Sequence, residues 1–548
     1  MAAMNLEGFA RRERGRLGRR LTGIYTRTML WYILGMVFLW WVGVESIYGH
    51  PTPFYAAFMP AFNMLAVPAF MAMVFGFVYL GYSRQYVTRS RWRLAVGVLF
   101  WGGVGLLPLV MGFARAGDRG ESVGTFVYFM LCQLAVLFVF LAGLTAIRRF
   151  LAPWEQFAEG LTTRDVRRFL GGLVLFSFAF ACAVAMIRGG TAGIAQAYLR
   201  QNTEMVGDIG IARSFLDMID RYVELQPHLS VHGRCHPPGP ILLLWFFTKG
   251  LGNDPLTLAL CTVAFGALAV VPMYLWVREM LGQRAGLTAA MLYTLVPSVV
   301  LFQATSADTL FPPFTLTTLW LFERALRRRS LGSAALAGVG YGVMGMMKYS
   351  LFGVGAYFAF VGLWWLLRGD DDAGTARAQR AAVLRTAVVM GGVTALFHGV
   401  LHGLCGFELL KSMSLAKQFV DADRGYEAVK LPRYGFWAWR VLNPLCWFYF
   451  AGIPVSLLFL RRVWRASPSV RGVCRVMALT ALSQCLLYLG AGEGERSALY
   501  VFPFLVVPAA LALDTFGQES KSPAPLLATL SFLAFQCWFT ECYFYTYW

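Results

Sequence analysis

Runs of apolar residues, each long enough to cross a lipid bilayer and separated by short polar stretches, constrain this chain more than any other feature. An α-helix needs about 20 predominantly apolar residues to span about 30 Å of hydrocarbon, and only helices or closed barrels satisfy their backbone there. The runs predict helices over 29–46, 56–81, 94–113, 124–146 and 169–188. A second series follows over 255–277, 286–303, 309–322, 332–347, 350–367, 386–404, 443–460, 472–490, 498–514 and 525–541. The fold class expected is therefore an all-α polytopic membrane protein with fifteen crossings. Composition agrees: 58% of the 548 residues are hydrophobic and 14% charged, against about 45–50% and about 25% in soluble domains. The first run, near Met29–Val44, lacks a small-residue cleavage site and reads as a retained helix.

The net charge of +19 does not indicate nucleic acid, because the arginines cluster between the apolar runs as positive-inside loops do. Arg11, Arg12, Arg14, Arg16, Arg19 and Arg20 form a basic amphipathic arm over 1–28, which the rule puts in the cytoplasm. The loops carrying Arg84–Arg93, Arg148–Arg168, Arg278 and Arg284, Arg327–Arg329, Arg368–Arg385 and Arg461–Arg465 fall on that side too. Parity then puts the C-terminus and two long loops, 189–237 and 405–442, outside. It also requires the apolar stretch Ile241–Phe247 to be a short or re-entrant helix. The ten cysteines are scattered without a CxxC pair, so neither a disulfide framework nor a thiolate zinc site is indicated. No internal repeat is evident.

Polar chemistry collects on the outer side. Glu204, Asp208, His228, His232 and His236 precede Pro237–Pro238–Gly239–Pro240, which breaks the chain before the next apolar run. His236 is expected at that helix mouth, where an anion is also favoured. The spacing of four among the three histidines suggests a metal triad on one helical face, although Gly233 and the prolines argue against a continuous helix. Asp208 reads either as a site acid or as a capping or solvated loop acid. Asp308 either caps the helix beginning at Thr309 or lines a polar site. Lys348, followed by Tyr349, either snorkels to the interface or contacts a phosphate. Glu493, Glu495, Arg496 and Tyr500 stand before Pro503. Lys411, Lys417, Lys430, Arg433 and Arg440 surround Trp437 and Trp439 in the second loop. Basic residues there run against the positive-inside bias and favour an anionic ligand. His398 and His402, four apart, read as a packed intrahelical pair rather than a metal site.

This ordered set, from Glu204 and Asp208 through His236–Pro237–Pro238–Gly239, Pro297, Asp308 and Lys348–Tyr349 to Glu495–Arg496 before Pro503–Phe504, resembles the GT-C integral-membrane glycosyltransferases. Protein O-mannosyltransferases and aminoarabinose transferases are among them, and the resemblance covers about residues 185–510. It implies a catalytic region over 169–514, additional N-terminal helices over 29–168, and a C-terminal helix with an outer tail over 515–548. Here the large outer loop follows the fifth helix rather than the first, and Lys249 and Gly250 close the short segment.

The implied activity is sugar transfer from a polyprenyl-phosphate donor to a hydroxyl acceptor, with inversion, outside a cell inner membrane whose lipid surrounds the enzyme. Asp208 is implied as catalytic base, with Glu204 second and His236 near the reaction centre. Asp308 and His232 are implied in the acceptor region, and Lys348, Tyr349, Arg440 and Arg496 near the donor phosphate. A divalent metal is left open, and no other cofactor is implied. A transporter or flippase would instead need charges through the midplane and a cavity open to both sides. A non-catalytic scaffold would tolerate loss of Asp208.

Overall fold

The computed structural model describes residues 2–41, 57–58, 95–96, 99, 102–103, 123–151, 161–200, 203–367, 373–430, 436–487 and 494–546. The helices expected over 56–81 and 94–113 lie almost wholly outside the described residues, as does Glu493. The side chains of Lys430, Arg433, Trp437 and Trp439 are outside them too.

Among the described residues the chain is a bundle of α-helices with one sheet of two-residue strands, Ala57–Phe58 antiparallel to Phe544–Tyr545. Local sequence starts and stops these helices. Thr162 caps Thr163–Gly189 through a reciprocal capping box with Asp165, which satisfies amide donors that no helical carbonyl reaches. Asp254 caps Pro255–Ala267 by accepting from the Thr257 amide at 2.8 Å. Pro240, Pro255, Pro297, Pro312, Pro454, Pro503 and Pro525 stand in first turns, where the missing N–H is harmless.

Six described helices are long and apolar enough to cross a membrane, or eight spans if each of two bent pairs counts as one. The described residues thus show fewer candidate spans than the fifteen runs, and two of the runs are bent. The 443–460 run is two helices, Phe436–Phe450 and Ile453–Trp464, and the pair bends by 111°. Gly452 turns the corner at φ +95°, a backbone region that glycine adopts readily. The 286–303 run bends by 54° between Gln283–Tyr293 and Pro297–Thr305. The stretch Ile241–Phe247 lies in Gly239–Leu251, 13 residues long and about 20 Å at 1.5 Å per residue, too short to span. The basic arm is not separate from the first apolar run, because one helix extends from Ala2 to Trp41. Tyr25 of that helix packs on Phe532 at 5.5 Å between ring centres.

Exposed leucines and valines ring the bundle, among them Leu384, Val388, Leu396 and Leu404 on Ala373–Cys405. Water would penalise such a face by about 25 cal/mol per Å², whereas lipid does not. The two loops carry helices of their own: short ones between Thr191 and Cys235, and the 22-residue Leu409–Lys430.

Candidate functional site

Three breaks in the helical chain meet around one carboxylate. Asp308 lies in the 3-10 turn Ala307–Leu310 between Pro297–Thr305 and Pro312–Arg328. Lys348 is the extended residue at which Leu331–Met347 ends. Arg496 belongs to the short helix Gly494–Ser497. The Lys348 Nζ lies 2.7 Å from Asp308 Oδ1, and the Arg496 Nε lies 3.4 Å from Asp308 Oδ2. The three residues are 6%, 8% and 5% exposed in the order Asp308, Lys348, Arg496, so their charges are little screened.

Asp308 therefore does not cap the following helix. Ser306 does so for the turn, its hydroxyl accepting from the Asp308 amide at 3.2 Å. Lys348 does not snorkel either, since its ammonium is buried over the Phe311 ring, 5.1 Å from the centroid. Burial alone would raise the Asp308 pKa, but the Lys348 and Arg496 charges outweigh it and hold the carboxyl well below its ordinary value.

His236 completes this end of the bundle. Its ring stacks on Phe311, with centroids 6.1 Å apart and planes at 18°. His236 Nδ1 is 2.9 Å from the His232 carbonyl oxygen; a carbonyl only accepts, so Nδ1 carries the proton and Nε2 an acceptor lone pair. That Nε2 is buried without a hydrogen-bond partner. Burial and the nearby Lys348 charge push the imidazole pKa down to about 3, which keeps it neutral at physiological pH.

The loop acids sit beside it. Glu204 is buried, and its Oε1 lies 3.0 Å from His232 Nδ1. Asp208 is 2% exposed and accepts from both the Ser230 amide and the Ser230 hydroxyl, each at 2.7 Å. The same hydroxyl caps Val231–Cys235 by accepting from the Gly233 amide at 3.0 Å. Desolvation raises the Asp208 pKa, with the Ser230 bonds partly opposing. A Cβ on Gly233 would lie 2.0 Å from Asp208 Oδ2, so glycine lets loop and acid approach.

The metal triad expected from the histidine spacing is not assembled on one helical face. His228 is exposed and ends a separate 3-10 turn, Gln226–His228, whereas His232 and His236 are 6.5 Å apart between ring centroids. Among the described residues no group of three His, Cys, Asp or Glu side chains is arranged to hold a metal.

Tyr349 and Arg440 point elsewhere. The Tyr349 hydroxyl is 2.5 Å from Ser412 Oγ, which donates to Gln226 at 2.9 Å and so ties the two loops together. Arg440 donates to the Cys485 carbonyl at 2.9 Å. His398 and His402 do not form a packed pair: His402 is exposed, and both His398 nitrogens lack a hydrogen-bond partner.

Residues that sequence reasoning passed over complete the geometry. Ser230 fits the N-cap preference for serine and was legible in principle, whereas Phe311 is one apolar residue among many. Gly239 of the Pro-Pro-Gly-Pro break has a precise task, because a Cβ there would lie 2.3 Å from the Met346 carbonyl oxygen. It lets the Gly239–Leu251 helix abut the end of Leu331–Met347 and sets the position of Lys348. Gly239→Ala is expected to destabilise the chain by about 1–3 kcal/mol, the range for overpacking, seen as a lower melting temperature in detergent.

A cavity of about 660 Å³ leads along the bundle, lined by Leu326, Tyr341, Phe358, Met390, Thr394 and His398 among others. Residues 383 and 398 both line it, fifteen residues apart on one helix or about 22 Å. The Tyr341 hydroxyl at its wall donates to the Phe352 carbonyl at 2.7 Å, in the turn that follows Lys348.

Bundle and break-lined site together define an all-α polytopic membrane protein with a polar centre at helix ends. Residues 235–390 match the family model described as dolichyl-phosphate-mannose-protein mannosyltransferase. The match begins one residue before His236 and takes in Asp308 and Lys348. It supports a GT-C-like integral-membrane glycosyltransferase in general terms and covers part of the chain. No curated protein matches the chain.

Proposed function

We propose that this protein transfers a sugar from a polyprenyl-phosphate donor to a hydroxyl acceptor at the extracytoplasmic face of a cell membrane, its N-terminus lying in the cytoplasm. One observation carries the reading: two buried cations, Lys348 and Arg496, converge on a single carboxylate, and the helix that ends at Lys348 also contributes Tyr341 to an apolar cavity. Such an arrangement suits an amphiphile with an anionic head and a hydrocarbon tail. The family match over 235–390 supports the same donor class. The side of the membrane is the one opposite Arg327–Arg329, which end the helix Pro312–Arg328 that starts just after Asp308.

In the proposed reaction the acceptor oxygen attacks the anomeric carbon and the bond from that carbon to the phosphate oxygen breaks. The electron pair stays on the phosphate, and Asp208 takes the hydroxyl proton as general base. Carboxylate oxygens have about four lone-pair sites between them, so the two Ser230 bonds leave Asp208 capacity to accept. Charge develops on the leaving phosphate, and Lys348 and Arg496 stabilise it without reorganising. The Glu204–His232 pair shapes the acceptor side, and neutral His236 offers Nε2 as a hydrogen-bond acceptor to a sugar or acceptor hydroxyl. Tyr349 acts by joining the loops rather than by touching phosphate, and Arg440 by holding the Phe436–Phe450 helix. The reaction as written needs no metal.

A single displacement inverts the anomeric centre, whereas retention needs a second carboxylate as nucleophile. Full-length protein in nanodiscs, given a polyprenyl-phosphate sugar of known anomer, should yield product of the opposite configuration by NMR. Product of the same configuration would contradict the single-base mechanism.

A further inference from the structure

Asp308 touches both cations with different oxygens, Oδ1 on Lys348 and Oδ2 on Arg496, and Oδ2 also accepts from the Ser306 hydroxyl at 3.2 Å. Two cations thus share one carboxylate, and the neutral His236 beside them adds no charge. Resting on the donor class proposed above, we infer that Asp308 is an internal counter-ion whose charge lets the site discriminate between a lipid phosphodiester and a lipid phosphomonoester.

The chemistry of transfer gives that charge a purpose. A phosphodiester donor carries one negative charge. Transfer breaks the carbon–oxygen bond and leaves its electron pair on the phosphate, so the lipid product is a monoester with about −1.5 to −2 charge at neutral pH. Without Asp308 the two buried cations would hold that monoester more tightly and slow its departure. Asp308 competes with it for the same two cations and returns to them as the product leaves. Asp308 is therefore a positioning residue that acts through Lys348 and Arg496. Its distinguishing signature is the ratio of affinities for two lipids of different charge, which a purely structural role would not move.

The test measures binding of polyprenyl phosphate, a polyprenyl-phosphate sugar and uncharged polyprenol to the full chain in nanodiscs by native mass spectrometry. Asp308→Asn is expected to bind the monoester at least about tenfold more tightly than wild type, a change of about 1.4 kcal/mol, with polyprenol affinity unchanged. Asp308→Glu keeps the charge and should restore the wild-type ratio of monoester to diester affinity. In turnover, Asp308→Asn should lower KM and kcat together and strengthen inhibition by polyprenyl phosphate. Monoester affinity that is unchanged or weaker in folded Asp308→Asn would overturn the inference.

Should that variant fail to fold, Asp308→Glu keeps the charge while altering the shape, so its ratio of monoester to diester affinity should stay within about threefold of wild type, and a shift beyond about tenfold would overturn the inference. If wild type binds polyprenyl phosphate no better than polyprenol, the donor reading itself fails and this inference falls with it. If wild type prefers the phosphate and Asp308→Asn does not strengthen it, only this inference fails.

Discussion

Asp208→Asn is expected to lower the transfer rate by about a hundredfold to ten-thousandfold, the contribution of a positioned general base, while leaving donor binding intact. Asparagine keeps an oxygen to accept the Ser230 amide hydrogen, so the variant removes the charge with little change to the loop. Stability should not fall by the same cause. The folded-state pKa of Asp208 is raised, chiefly by burial, so the folded chain holds the proton more tightly than the unfolded chain does. Ionisation therefore opposes folding above the unfolded pKa, and this penalty disappears as the pH falls. The rate has the opposite dependence: a base must be ionised, so the acid limb of the profile should lie above the ordinary carboxylate range. Ser230→Ala removes a bond that favours the ionised form and should move that limb to still higher pH. A rate profile of purified Asp208→Asn indistinguishable from wild type would reduce Asp208 to a loop pin.

Lys348→Gln should produce the largest loss of donor binding, and it should also weaken the fold. Breaking a buried pair by removing one partner typically destabilises by about 3–5 kcal/mol. Here the lower figure applies, because Asp308 keeps Arg496 and the Ser306 hydroxyl. Affinity for a polyprenyl-phosphate sugar should drop at least about a hundredfold, or about 2.7 kcal/mol, measured by competition against polyprenol in nanodiscs. Arg440→Gln should change donor affinity by less than about threefold, since Arg440 donates to the Cys485 carbonyl, whereas the cations on Asp308 are Lys348 and Arg496. An equal loss from the two variants would place the phosphate contact elsewhere.

Helix positions were largely legible because apolar length and proline placement are local signals. The run 255–277 appears as Pro255–Ala267 and Val270–Leu281, and 332–347 as Leu331–Met347. The 443–460 run misled because its bend depends on a distant partner as well as on Gly452. The Ile453 amide donates to Gln536 at 2.9 Å, eighty-three residues away. The candidate site was legible as a set of residue types and illegible as a set of partners. Asp308, Lys348 and Arg496 were each identifiable as polar residues at helix ends, yet nothing in their spacing says that one carboxylate bridges both cations. The i, i+4 pattern of His228, His232 and His236 suggested a shared face that the turn at Leu229–Ser230 breaks. Arg188 and Glu541, an ion pair at 3.5 Å, were missed because 353 residues separate them.

Covalent transfer itself tests the central claim most directly. The full chain reconstituted in proteoliposomes, given a polyprenyl-phosphate sugar labelled in the sugar and an acceptor pool from the same membranes, should convert label into acceptor-linked product. Free polyprenyl phosphate should appear in equal amount by mass spectrometry, and both should depend on Asp208. Movement of intact labelled donor across the bilayer with neither product formed would contradict the account and identify a transporter.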